Sequence, residues 1–557
     1  MNIFSFILTI IMSALMIASN TIASVIPGII PEAKTEEELL AMADVFDKYE
    51  LAEDIYVVNG VGSKDERAAI HSLQGLVSRD KATIYVNYGG EAKTELEFLK
   101  NSGHNLIYTD ENGKTWTLKT LVSRFSSYIT DNSYVLFTSS DVTEQINMAF
   151  NYTTVYGCLA VPEALEETVK ELGMTKKFDL TDTEITVDVQ NDFYDRHKDE
   201  FRKDALVHQR ESASGLRDFA VQQKIFITYA YDDDFVSTAF RDKVLADLEP
   251  ASIVFGWCEM EVAFTESVSA FGHYVIPADH CYNTTILNAC ESQQIADGNK
   301  TEAPQLDPDK HYVAIVYSDG DNAQWISNGY SEFHRWQSYG IDTPITWTYA
   351  PLMNEFSPVA VKKTTENPGN CSLITGPSGV GYSRISKMSA NDLAAYSDKT
   401  AAAMLSSGLT TMTLLDKPLD LPDFIYENKL SYFARYDNIN GGILQIDPSR
   451  YEGGKGKVYF ADDKPFVSVR LSLWSPTGNA EDVTNEWLKE QADIVNNYPA
   501  DINSINGYSV INVHPWSVGT DDLAYFVSQL DDGVEVISAD ELIAAVTENV
   551  PHKTAKS

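Results

Sequence analysis

Apolar and polar positions alternate along this chain in two rhythms, which predict strands and helices in turn. Short apolar runs at 54–59, 82–87, 134–138 and 158–161 are separated by segments with helical spacing. One of these is 64–79, where Ala68, Ile70, Leu73 and Val77 share a face. Strands alternating with helices predict parallel βαβ units. The polar stretch 181–223 predicts one long charged helix, with Tyr194, His197, Phe201 and Ala205 as its sparse apolar face. Strands at 225–230, 252–257 and 272–276 follow. The second of these runs into Cys258, Glu259, Met260 and Glu261, and the third into Asp279 and His280.

A polar segment containing Gly298, Pro304 and Pro308 reads as a linker over 296–310. It separates an N-terminal α/β domain over 24–295, with room for two subdomains, from a C-terminal domain over 311–557. The C-terminal domain carries strands at 312–317, 344–349, 372–375, 411–415, 442–446, 466–473, 504–513 and 534–537, most of them separated by helices. That count predicts a β/α, TIM-like barrel. The expected fold class is therefore α/β: a C-terminal barrel preceded by parallel βαβ units.

The strongest chemical signal is the end of the strand over 313–317. Its apolar run stops at Ser318-Asp-Gly-Asp-Asn322, ahead of a helix-compatible segment over 323–339. In such folds ligand-binding groups gather at the carboxyl ends of the strands. One reading is an Asp-Gly turn with a cap for the next helix. The other makes Asp319 and Asp321 working carboxylates and Asn322 a substrate contact. Glu261 and Asp279 stand at two other strand ends, Asp416 at a third, and His514 with Trp516 at a fourth. Trp347, Trp257, Trp325 and Trp474 also lie at or near strand ends, where a ring can stack on a sugar or pack a core.

Composition narrows the partners. The 557 residues include 81 acidic and 42 basic side chains, a net charge of −39, which disfavours nucleic acid and anionic lipid. Residues 1–23 lack charge, are largely apolar from Ile3 to Ala18, and end in the small-residue pattern Thr21-Ile-Ala23. They read as a secretory signal or an uncleaved anchor, with no other membrane span expected. Four Asn-x-Ser/Thr sequons, at Asn151, Asn283, Asn299 and Asn370, fit a secreted glycoprotein. Of the five cysteines, Cys281 and Cys290 are the expected local bridge. No Cys-x-x-Cys pair occurs, the glycine-rich corner at 376–382 lacks the Lys-Ser/Thr of a phosphate loop, and no cofactor or metal is expected. The oligomeric state is not encoded in any visible pattern.

That corner, Gly376-Pro-Ser-Gly-Val-Gly-Tyr382, resembles the GxGYxYP family of putative glycoside hydrolases. So do His71-Ser-Leu-Gln-Gly-Leu-Val-Ser-Arg79, Gly256-Trp257 with Glu261, Ser318 to Asn322, Trp347-Thr-Tyr-Ala-Pro351 and His514-Pro-Trp516. Gly379, Val380, Gly381 and Tyr382 keep the name motif, whereas Arg384 and Ile385 replace its last Tyr and Pro. The resemblance implies a secreted glycoside hydrolase acting on a carbohydrate. Such chemistry needs two carboxyl groups, about 5–5.5 Å apart for retention or about 6.5–9.5 Å for inversion, one of them kept protonated. Asp319, Asp321 and Glu261 are the expected catalytic residues. Asn322, Trp347, Gly379, Gly381, Tyr382, His514, Trp516 and Asp279 are the expected substrate-binding residues. A metal-dependent polysaccharide deacylase using Asp319, Asp321 and His514 is one alternative, and a non-catalytic carbohydrate-binding surface protein is another.

Overall fold

A computed structural model describes residues 24–299, 301–418 and 421–552. The charge-free segment 1–23 lies outside the described residues, among which no helix is long and apolar enough to cross a membrane.

The N-terminal half is built from three small parallel sheets. Strands β1 (Glu50–Val58), β2 (Lys81–Val86) and β3 (Asn105–Ile107) pair in the order β2-β1-β3. Strands β4 (Ser133–Phe137), β5 (Leu159–Pro162) and β6 (Thr175–Asp179) pair as β5-β4-β6. Strands β7 (Ala205–His208), β8 (Phe226–Thr228), β9 (Ile253–Gly256) and β10 (Tyr274–Ile276) form the third, in the order β10-β9-β7-β8. The expected long helix over 181–223 does not form. A helix at Val187–His197 gives way to β7, which lies inside the third sheet and is wholly buried. Three apolar residues and a buried histidine between Asp204 and Arg210 are enough for a strand when both edges are paired.

The C-terminal half contains β11 (His311–Tyr317), β12 (Ile345–Tyr349), β13 (Cys371–Thr375), β14 (Thr411–Asp416), β15 (Gly441–Ile446), β16 (Val458–Ala461), β17 (Lys464–Ser468), β18 (Leu471–Leu473), β19 (Tyr508–Val513) and β20 (Val534–Ile537). These form two mainly parallel sheets, not a closed barrel. One runs β13-β12-β11-β19-β18, with β20 pairing the start of β11, and the other runs β14-β15-β17-β16. The ladder breaks where backbone geometry changes. After β13 the chain leaves at Gly376 (φ +140°), and the glycine-rich corner wedges against β14. There Gly379 N–H donates to the Thr413 carbonyl at 3.0 Å, and the Thr413 hydroxyl, rather than an amide, donates to the Thr375 carbonyl. Between β17 and β18 the chain changes sheets: Val469 N–H reaches Leu444 in one and Arg470 N–H reaches Val510 in the other. The strand ends of both sheets still face one mouth.

The cysteines are free, so Cys281 and Cys290 form no bridge. Two sequons are closed by the fold. Asn151 exchanges two hydrogen bonds with Ile227 at the edge of β8, and Asn283 exchanges two with Val86 of β2, leaving both side chains buried. Asn299 and Asn370 are exposed. Expression in a glycosylating host should therefore modify Asn299 and Asn370 and leave Asn151 and Asn283 bare, as read by peptide mass after glycan removal.

Candidate active site

All seven residues of β11 are buried, as a strand between covered faces requires. Its polar exit turns sharply. Gly320 presses so close to β12 that a Cβ there would lie 1.7 Å from the Thr348 carbonyl oxygen, and its N–H donates to the Thr348 hydroxyl at 2.8 Å. Asp319 takes a left-handed conformation (φ +67°), uncommon for a residue with a side chain. The expected helix over 323–339 is split into Ala323–Ser327 and Ser331–Ser338, with Gly329 and Tyr330 at positive φ between them. Asn322 performs the capping, accepting from Trp325 N–H at 3.1 Å. That leaves both carboxylates of the turn to face a cavity.

The cavity, of about 270 Å³, is lined by Asp319, Asp321, Asn322 and Gln324 from the turn after β11, and by Trp257 and Glu261 from the exit of β9. Tyr382 and Pro377 of the glycine-rich corner, Tyr451 after β15, Trp474 after β18, and His514 and Trp516 after β19 complete most of the wall. Both halves of the chain contribute. The corner docks on β10 through a reciprocal pair, Val275 N–H to Tyr382 O at 2.8 Å and Tyr382 N–H to Val275 O at 2.9 Å.

The electrostatics of this cavity are unusual. Burial, opposed by a hydrogen bond from the Trp516 indole N–H and reinforced by the charge of Glu261, pushes the Asp319 carboxyl up to about 6. Asp321 is only 6% exposed; burial first, and then the charges of Asp319 and Glu261, hold it well above the usual carboxylate range. Like charges in a desolvated site oppose one another's ionisation, so both carboxyls hold their protons to higher pH than exposed ones would. Glu261 is exposed at the cavity edge, on the first turn of the helix Glu261–Ala270, and accepts the Tyr382 hydroxyl proton at 2.8 Å. Arg384, one of the two residues that depart from the GxGYxYP pattern, directs that proton. Its guanidinium is buried, pairs with Asp447 at 2.8 Å, donates to Thr265 at 3.3 Å, and donates to the Tyr382 oxygen at 3.1 Å. With its oxygen already accepting, Tyr382 has its single proton aimed at Glu261. Arg384→Met removes this constraint and leaves Asp447 without its partner. Turnover should fall about 10–100-fold with a shifted pH profile, as expected of an orienting shell, and steady-state kinetics across pH would check this.

Several expected residues do not reach the cavity. Trp347 lies in the core, stacked on Tyr317 at 4.2 Å and edge-on to Tyr330 and Phe333, because β12 is buried on both faces. Trp347→Ala should cost about 3–5 kcal/mol of stability and leave ligand affinity of the folded protein unchanged, measured by denaturation and binding titration. Gly379 and Gly381 serve packing: a Cβ would sit 2.9 Å from Thr400 at the first and 2.5 Å from the Tyr274 ring at the second. Asp279 is buried away from the cavity, its carbonyl accepting from Gly215 and Gln209. Asp416 is tied down by Ser386 and the Lys417 amide. His514 and Trp516 do line the cavity; the His514 ring lies flat on Trp474 at 3.6 Å, and burial pushes it down to about 4. Tyr451, in a left-handed conformation (φ +73°), had no sequence signal. Arg384 had one, a charge in a corner of small and apolar residues.

The fold and cavity define a class: an α/β protein in which buried carboxylates meet aromatic side chains at the carboxyl ends of parallel strands. Residues 309–547 match the family model described as the GxGYxYP putative glycoside hydrolase C-terminal domain, and residues 204–289 match the GxGYxYP third domain. The chain belongs to the GxGYxYP family. Its fold is similar to the crystal structure of a putative hydrolase from Bacteroides thetaiotaomicron, with a TM-score of 0.79 at 23% identity, over 92% of this chain and 99% of that one. No curated protein matches the chain.

Proposed function

We propose that this protein hydrolyses glycosidic bonds in a secreted setting, with the Asp319–Asp321 pair supplying the proton and Glu261 the opposing carboxylate. The observation that carries this reading is the meeting of three carboxylates in one cavity, where desolvation and like charge push the carboxyls of Asp319 and Asp321 up. Protonated Asp321 gives its proton to the glycosidic oxygen as the C1–O bond breaks. Glu261 faces the charge developing at C1, either drawing a proton from the attacking water or bonding to C1 until water, giving its proton to Asp321, displaces it. Asp319, held by Trp516, adds a second negative charge beside the oxocarbenium-like centre. A proton from water then restores Asp321.

A binding-only surface gains nothing from burying carboxylates at such cost. For metal-dependent deacylation, no group of three or more His, Cys, Asp or Glu side chains is placed to hold a metal ion among the described residues. His514 is engaged with Ser517 and Trp474. The uncharged, apolar opening of the chain and the exposed sequons at Asn299 and Asn370 support secretion. The test is release of reducing ends from a broad glycan panel by the native protein and by Glu261→Gln, Asp319→Asn and Asp321→Asn. Loss of turnover in the variants supports the proposal; no turnover by the native protein, or full activity in all three variants, overturns it.

A further inference from the structure

The shape and charge of the same cavity narrow its substrate; this inference rests on the hydrolase reading above. Small-molecule sites span about 300–1,000 Å³, and this one, at about 270 Å³, falls just below that range. Its inner residues, Asp321, Tyr382, Leu415 and Tyr451, are buried, and only Glu261 and Trp516 among its lining are exposed. The opening therefore lies where those two stand. The exits of β9 and β10 wall the cavity from the N-terminal half, while the strand ends of the C-terminal half wall the rest. A polymer threading through would need a trench open at both ends; this is a pocket with a floor.

The charge is one-sided. The lining holds three carboxylates and no Lys or Arg. His514 is neutral at ordinary pH because burial lowers its pKa. The buried cation nearby, Arg384, spends its donors on Asp447, Tyr382 and Thr265. An anionic sugar would enter a desolvated, negatively charged site with no counter-charge, which is costly. The flat Trp474–His514 pair and the Trp516 ring offer apolar faces suited to the C–H face of an uncharged pyranose.

We infer that the pocket admits a single terminal sugar residue without negative charge, so that the enzyme works from chain ends and releases monosaccharide, with the remainder of the glycan leaving past Trp516 and Glu261. The experiment uses the full chain and three probes: methylumbelliferyl glycosides of neutral hexoses and N-acetylhexosamines, the matching glucuronide and sialoside, and end-labelled neutral oligosaccharides. Turnover of neutral glycosides alone, with stepwise loss of monosaccharide from the labelled chains, is expected. Cleavage of the glucuronide or sialoside, or internal cleavage yielding oligosaccharides, overturns this inference and leaves the hydrolase reading standing. If nothing is cleaved, the hydrolase reading fails by itself, and quenching of tryptophan fluorescence decides the pocket. Saturable quenching by neutral monosaccharides and not by glucuronate, lost in Trp474→Ala, upholds it; equal quenching by glucuronate, or none by any sugar, sinks it.

Discussion

Glu261→Gln and Asp321→Asn each lower turnover by about 10²–10⁴-fold, the range expected when a positioned acid or base is removed, and they differ in which substrates reveal the loss. If Asp321 is the proton donor, its loss matters most when the leaving group is a poor one. Alkyl glycosides lose the full factor in Asp321→Asn, whereas a 2,4-dinitrophenyl glycoside, whose leaving group needs no proton, keeps most of its rate. If Glu261 acts at the sugar carbon, Glu261→Gln slows both substrates alike. The double variant loses little beyond the worse single variant, because residues that act as a unit are not additive. Rates for the two leaving-group classes across the three variants check this. A uniform loss in Asp321→Asn would remove the acid role from Asp321.

Asp321→Asn and Asp319→Asn also stabilise the protein at neutral pH while costing activity. Both carboxyls have folded-state pKa values raised above the ordinary value of 3.8, Asp319 to about 6 and Asp321 well above that ordinary value, with burial as the leading cause. The native state therefore keeps protons that the unfolded chain has released, and the stability of the native protein falls as pH rises from about 4 through 6 and beyond. An asparagine does not titrate, so each variant matches the native protein below pH 4. At pH 7–8 each should exceed it, Asp319→Asn by at most about 3 kcal/mol. Thermal unfolding at pH 4 and at pH 8 reads the difference directly. Equal midpoints at both values would mean that the carboxyls are not desolvated as described. A site that holds a proton at the expense of fold stability is the usual trade between activity and stability.

Much of the site could be read along the chain because a buried strand ending in charge is locally conspicuous. Asp319 and Asp321 follow five apolar residues, Glu261 follows the exit of β9, and His514 with Trp516 follows β19; all five line the cavity. Other strand ends gave equal signals with other outcomes. Asp416 ends β14 but is consumed by Ser386 and the Lys417 amide, and Asp279 follows β10 but lies in the packing around Gln209. Trp347 sits within a strand whose two faces are both buried, so the alternation of its neighbours carries no sign of which way it points. Tyr451 reaches the cavity only because a loop adopts positive φ at Ser449, Arg450 and Tyr451, which local apolar periodicity does not encode.

By itself, the order of apolar and polar residues determined that this is an α/β protein of parallel strands, and that its candidate site residues stand at their carboxyl ends. Local hydrogen bonding and hydrophobic burial act over a few residues, so they leave a local trace. Tertiary structure decided the rest: that the C-terminal strands form two open sheets, that the exit of β9 meets the exit of β11 across the two halves, and that Arg384 aims Tyr382 at Glu261. It also decided which carboxyls keep a proton. Desolvation and charge repulsion depend on distances between segments far apart in the chain, and only the folded packing sets those distances.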